Sequence, residues 1–155
     1  MPVYSVLFVC LGNICRSPLA DAVLRHKVAA AGLSDRIAVD SCGTSSYHEG
    51  EPPNPMSARV ARRHGIDMST LRSRQLRRAD LHETDLLVAM DASNKRGIER
   101  LGTGRVVMMR DYDPSGSGDV PDPWGGGARG FDLVYEIIDR SCEVLLREIR
   151  DELGV

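Results

Sequence analysis

Val6-Leu7-Phe8-Val9-Cys10-Leu11-Gly12-Asn13-Ile14-Cys15-Arg16-Ser17-Pro18 is the stretch that decides the fold. Its first four residues are an unbroken apolar run, the pattern of a strand covered on both faces. After a short loop, Ala20, Val23, Leu24, Val28 and Ala31 recur at helical spacing, with Pro18 suited to a first helical turn and Gly32 to a C-cap. Three more apolar runs follow: Ile37-Ala38-Val39, Leu86-Leu87-Val88-Ala89-Met90 and Val106-Val107-Met108-Met109. Between and after them, Pro55 to His64 reads as a helix ended by Gly65, Arg74 to Leu81 as a weaker helix, and Ala92 to Leu101 as one closed by Gly102. Phe131, Val134, Tyr135, Ile138, Cys142, Leu145, Ile149 and Leu153 make one apolar stripe on a final helix. Strands alternating with helices predict an α/β fold: a single-domain three-layer sandwich over residues 1–155, its central, mostly four-stranded parallel sheet flanked by helices.

Composition narrows the function. The 155 residues are 42% hydrophobic and 27% charged with a formal net charge of -2, which fits one soluble domain and no general nucleic-acid binder. No run approaches the roughly 20 apolar residues of a membrane span, and Met1 to Val9 lacks the pattern of a signal peptide, so the expected location is cytoplasmic. Cysteines at 10, 15, 42 and 142 form neither a zinc-type pair nor a disulfide framework. The net charge hides a basic belt: Arg59, Arg62, Arg63, Arg72, Arg74, Arg77 and Arg78 against Asp67 and Asp80, read as a solvated helical face more readily than as a steering surface for acidic phosphopeptides.

In an open parallel sheet, ligands sit at the carboxyl ends of strands, and a helix N-terminus favours an anion there. Leu11, Gly12, Asn13, Ile14, Cys15, Arg16 and Ser17 are therefore expected to wrap a phosphate-sized oxyanion. Gly12 and Asn13 tolerate the left-handed backbone that lets successive N–H groups converge, and Arg16 adds a planar grip on two oxygens. Cys10 lies at the bottom of this ring, where a helix N-terminus and a cation favour the thiolate, hence a nucleophile aimed at phosphorus. Ser17 is placed to donate its hydroxyl to the sulfur.

A departing ester oxygen also needs a proton. Asp122, in Asp122-Pro123-Trp124, is the candidate general acid, and its carboxylate then serves as base for the water that hydrolyses a cysteinyl-phosphate. It sits in Arg110 to Gly130, a Gly-, Pro- and Asp-rich stretch read as one long functional loop containing the only Trp of the chain.

The first stretch resembles the N-terminal signature of the low-molecular-weight protein tyrosine phosphatases. Further similarity lies in Asp40-Ser41, Gly43-Thr44-Ser45, Gly50-Glu51-Pro52-Pro53, Arg63-His64-Gly65-Ile66, Ser73-Arg74-Gln75, Met90-Asp91-Ala92-Ser93-Asn94, Tyr112-Asp113-Pro114 and Asp122-Pro123, with the cysteine preceding the acid. The resemblance implies hydrolysis of phosphotyrosine in proteins, with inorganic phosphate as product and no metal or cofactor. It implies catalytic roles for Cys10, Arg16 and Asp122, and support of the loop by Asn13 through Ser17 and Ser41. The aromatic ring would be received between Leu11, Ile14, Tyr47 and Trp124.

Departures from the family pattern carry expectations of their own. Trp124 is followed by Gly125-Gly126-Gly127 where a second aromatic is common, which predicts a thinner wall and a looser loop. Leu71 replaces a frequent His, which predicts a missing bond to Asn13; Tyr47 stands where Trp is frequent. Cys15 is either a redox partner of Cys10, as the family suggests, or a small loop residue. Asp91 sits near the catalytic Arg by resemblance, or is an ordinary helix cap. His26, His48, His64 and His82 show no ligand spacing and read as surface or core residues. Two alternatives share the loop. A thioredoxin-coupled arsenate reductase needs relay cysteines, which positions 70 to 90 lack, and a non-catalytic phosphate-binding module has no need of Cys10 and Asp122 together.

Overall fold

The structure, a computed structural model, describes residues 3–155. Four parallel strands, β1 (Tyr4–Cys10), β2 (Ile37–Gly43), β3 (Leu86–Ala89) and β4 (Val106–Met108), form one sheet in the order β2-β1-β3-β4. Strand order reverses direction at β1, so the carboxyl end of this strand opens into a crevice between the connections that leave toward β2 and β3.

Both faces of the sheet are covered, which is why the strands read as continuous apolar runs. Val6, Phe8, Leu86 and Val88 face one core with α1 (Arg16–Ala30), α2 (Pro55–Arg63) and α5 (Gly127–Leu153). Leu7, Val9, Leu87 and Ala89 face a second, smaller core containing Leu81 of α3 (Arg78–Glu83) and Ile98 of α4 (Ala92–Glu99). The alternation is the period of two expected of a strand. Helix α5 buries Phe131, Val134, Tyr135, Ile138, Cys142, Leu145 and Ile149 of the stripe read from the sequence, leaves its last member Leu153 half-buried, and is capped by Gly154 with φ +72°. Helix α1 ends at Ala31, with Gly32 at φ +71° just beyond.

Most element ends shift by a residue or two from the sequence reading, and four of the differences have a physical reason in the structure. Strand β2 runs past Val39 through Asp40 and Ser41 to Gly43, because its polar residues still pair with Leu7 and Phe8 of β1. The helix expected over Arg74 to Leu81 starts only at Arg78: Gln75 forms a parallel bridge with Gly43, Gly43 N–H donates to Arg74 O and Leu76 N–H to Gly43 O. Strand β4 stops at Met108 because Met109–Tyr112 turn into a short 3-10 helix. The loop expected to run to Gly130 ends earlier, since α5 begins at Gly127. Gly125 and Gly127 adopt φ +80° and +65°, and Gly126 N–H bonds Pro123 O at 2.8 Å, so the glycine run is a shaped entry into the helix.

Candidate active site

Between β1 and α1 the chain makes a ring, and five of its carbonyls are claimed from outside. Thr44 N–H donates to Cys10 O, Ser45 N–H to Leu11 O and Asn54 N–H to Ile14 O at 2.8 to 2.9 Å. Ser73 Oγ donates to Gly12 O at 3.0 Å and Ser57 Oγ to Cys15 O at 3.2 Å. In a trans peptide the C=O of one residue and the N–H of the next point opposite ways. Carbonyls of residues 10, 11, 12, 14 and 15 turned outward therefore turn the N–H groups of Leu11, Gly12, Asn13, Cys15 and Arg16 toward the centre of the ring. One of them is already used there: Asn13 N–H donates to Cys10 Sγ at 3.3 Å. The axis of α1 adds its positive end to the same centre.

Asn13 sets the shape of the ring. It has φ +56°, is almost fully buried, and its side chain spans three elements. Nδ2 donates to Ser17 Oγ at 2.8 Å and Ser41 Oγ at 3.1 Å, while Oδ1 accepts from Arg74 N–H at 3.1 Å. The carbonyl oxygen is thus occupied, and the bond expected to be missing because of Leu71 is made by a backbone amide on the segment after it. Close approach is enforced from the side of β2, where a Cβ on Gly43 would lie 2.7 Å from Leu11 O.

Cys10 Sγ lies 3.0 Å from Ser17 Oγ. The Ser17 hydroxyl accepts from Asn13, so its one proton is free for the sulfur or for Cys42 O at 3.2 Å. Cys15 is buried near the same ring, and burial, with Cys10 and Asp122 nearby, pushes its thiol up to about 12. Cys42 and Cys142 are fully buried, and burial raises both thiols further.

Arg16 is buried and fixed by one of its two terminal nitrogens. Nη1 donates to Asp91 Oδ2 at 2.8 Å and to Val120 O at 2.9 Å, which uses both of its protons. The Nε and Nη2 edge is left for a bound oxyanion. Asp91 performs both roles left open by the sequence, since its Oδ1 also caps α4 by accepting from Asn94 N–H at 2.7 Å.

Asp122 approaches from the opposite side, with Oδ2 3.9 Å from Arg16 Nη2 and Oδ1 accepting from Trp124 N–H at 3.0 Å. The loop that carries it is anchored before this point. Asp113, its carboxylate sealed from solvent, takes bonds from Arg110 Nε, Arg140 Nε and Nη2, and Ser115 N–H at 2.7 to 3.1 Å, which hold its carboxyl down to about 2.

These groups surround an open cavity of about 400 Å³. Cys10, Gly12, Cys15 and Arg16 form its floor, and Leu11, Ile14, Tyr47 and Trp124 contribute its walls, with Asp122 at the edge. Leu11, Tyr47 and Trp124 are more than half exposed, so these walls are apolar and open. His48 and Ser45 also line the cavity; Ser45 stood in a stretch of family similarity without a site role, and His48 carried no signal in the sequence. The His48 ring lies against Gly12 and is held at Nδ1 by Glu51 Oε2 at 2.9 Å; a histidine without ligand spacing gives no hint of such a place.

The family model described as low molecular weight phosphotyrosine protein phosphatase matches residues 5–154. The chain belongs to that family. A low molecular weight protein-tyrosine-phosphatase of Streptomyces coelicolor is 39% identical, over 97% of this chain and 96% of that protein. The low molecular weight phosphotyrosine protein phosphatase of Schizosaccharomyces pombe is 43% identical, over 90% and 94%. The crystal structure of YfkJ from Bacillus subtilis superposes with a TM-score of 0.93 at 38% identity, covering 98% of each chain. Among the described residues, no helix is long and apolar enough to cross a membrane.

Proposed function

We propose that the protein hydrolyses phosphotyrosine in proteins, and simpler aryl phosphates, in two steps through a cysteinyl-phosphate. The observation that carries this reading is the placement of Cys10 Sγ on the cavity floor, with Arg16 and Asp122 brought to within 3.9 Å of each other above it. The phosphate sits on the inward N–H groups of the ring and the free edge of Arg16, and the ring of the substrate lies between Leu11, Ile14, Tyr47 and Trp124.

Cys10 thiolate attacks phosphorus as the ester P–O bond breaks, and Asp122 gives its proton to the departing phenol oxygen. A water then attacks the phosphorus of the S–P bond, giving its proton to the Asp122 carboxylate, and inorganic phosphate and the thiolate are released. Ser17 stabilises the sulfur anion before attack and after release. Loop amides and Arg16 neutralise the equatorial oxygens, so charge stabilisation and positioning supply most of the acceleration. No arsenate-reductase relay is supported: Cys42 and Cys142, the thiols outside the loop, are fully buried.

The test is turnover of phosphotyrosine and nitrophenyl phosphate by the purified protein and by Cys10→Ser. Activity in the wild type and none in the variant supports the reading; a variant that retains turnover overturns it.

A further inference from the structure

The loop bearing Asp122 is fastened to the phosphate clamp by a closed circuit. Arg16 Nη1 holds Asp91 Oδ2, and Asp91 is the N-cap of α4. The first amide of that helix, Ala92 N–H, is not taken by Asp91, whose Oδ1 caps Asn94; it donates instead to Asp119 Oδ1 at 2.9 Å. Asp119 leads directly into Val120, whose buried side chain plugs the core, whose N–H donates to Met90 O at 2.8 Å, and whose carbonyl returns to Arg16 Nη1 at 2.9 Å. Asp122 lies two residues on, no more than about 7 Å of chain. Asp119 itself is exposed, and the Ala92 bond is its one side-chain hydrogen bond among the described residues.

We propose that Asp119 is a positioning residue for the acid step: by holding Ala92 N–H it keeps the acid loop in register with Arg16 and so aims Asp122 at the leaving oxygen. The inference rests on the reading of Asp122 as general acid. Proton transfer requires a heavy-atom separation of about 2.6 to 3.2 Å, so a loop that slackens before Asp122 loses protonation of the leaving oxygen first, while the ring and Arg16 still hold the phosphate in front of Cys10.

The experiment compares kcat/KM of wild type, Asp119→Ala and Asp119→Asn over aryl phosphates whose phenols range from strongly to weakly acidic. A mis-aimed acid matters most for the most basic leaving group. Asp119→Ala is expected to lose about three- to tenfold on the poorest leaving group and less than about twofold on the best, the span of one hydrogen bond. Asp119→Asn keeps an oxygen for Ala92 N–H and is expected within about twofold of wild type throughout. In an Asp122→Asn background, Asp119→Ala should add no further leaving-group dependence. The proposal is overturned by equal losses across the series, by no loss, by Asn behaving as Ala, or by added dependence in the Asp122→Asn background. A wild-type protein inert toward every aryl phosphate would instead sink the phosphatase reading itself.

Discussion

Asn13→Ala should separate what the ring contributes to stability from what it contributes to chemistry. The substitution deletes three side-chain hydrogen bonds, to Ser17, Ser41 and the Arg74 amide, at a residue 2% exposed. At about 0.5 to 1.5 kcal/mol each, their loss amounts to about 1.5 to 4.5 kcal/mol. Alanine must also adopt the left-handed φ of +56°, which adds about 1 to 2 kcal/mol. Asn13→Gly loses the same bonds without that strain, offset in part by the larger freedom of glycine in the unfolded chain, and should be the milder change by roughly 0.5 to 1 kcal/mol. Urea unfolding of the three proteins gives these differences from midpoints and slopes. Activity should follow a different pattern. Both variants free the Ser17 hydroxyl and release the N–H groups from one centre, so kcat/KM should fall alike in both while stability differs. An alanine variant destabilised by less than about 1 kcal/mol would refute the argument, because it would mean that water replaces all three bonds. Equal stability of the two variants would refute the strain component alone.

Two further outcomes are expected. Asp113 is held down to about 2, chiefly by Arg140 and then by Ser115 and Arg110, so its stabilisation is complete above the ordinary carboxylate value and is lost as pH falls from about 4 toward 2. Between about pH 5 and about pH 2 wild type should lose about 2 kcal/mol more than Asp113→Asn, measured by urea unfolding at both values, and parallel losses would show the cluster to be inert. At about pH 7 iodoacetamide should label wild type once, at Cys10, and Cys10→Ser not at all, because burial pushes Cys15 up to about 12 and raises Cys42 and Cys142 further. Mass spectrometry showing label on Cys15 in the variant would contradict this.

The strand, ring and helix from Val6 to Pro18 were legible because periodicity, a left-handed residue and a nucleophile fell within one short stretch. So were both cores, since local pattern decides which face of β1 a residue takes. What escaped was decided between distant segments. Ser41 belongs to a strand only because Phe8 is beside it, and Arg74 leaves its expected helix only because Gly43 and Asn13 use its backbone. Leu71 looked like a lost support, yet the replacement is a main-chain amide, which no side-chain pattern reports. Asp119 and His48 have no local signature: one is an acidic residue in a polar loop, the other a histidine beside a tyrosine, and only the third dimension brings them to Ala92 and Gly12.

The position of β1 within the sheet has a consequence for how such an enzyme acquires new substrates. Cys10 and its ring leave the end of an inner strand, whereas Tyr47 and His48 come from the connection after β2 and Trp124 from the one after β4. Beyond Leu11 and Ile14, the residues proposed to meet the rest of a substrate are therefore borne on segments other than the one proposed to meet its phosphate. Loop grafts or saturation libraries at 46–51 would explore recognition while Cys10, Arg16 and Asp122 stay in place, whereas changes at 123–126 also touch the Trp124 N–H that holds Asp122.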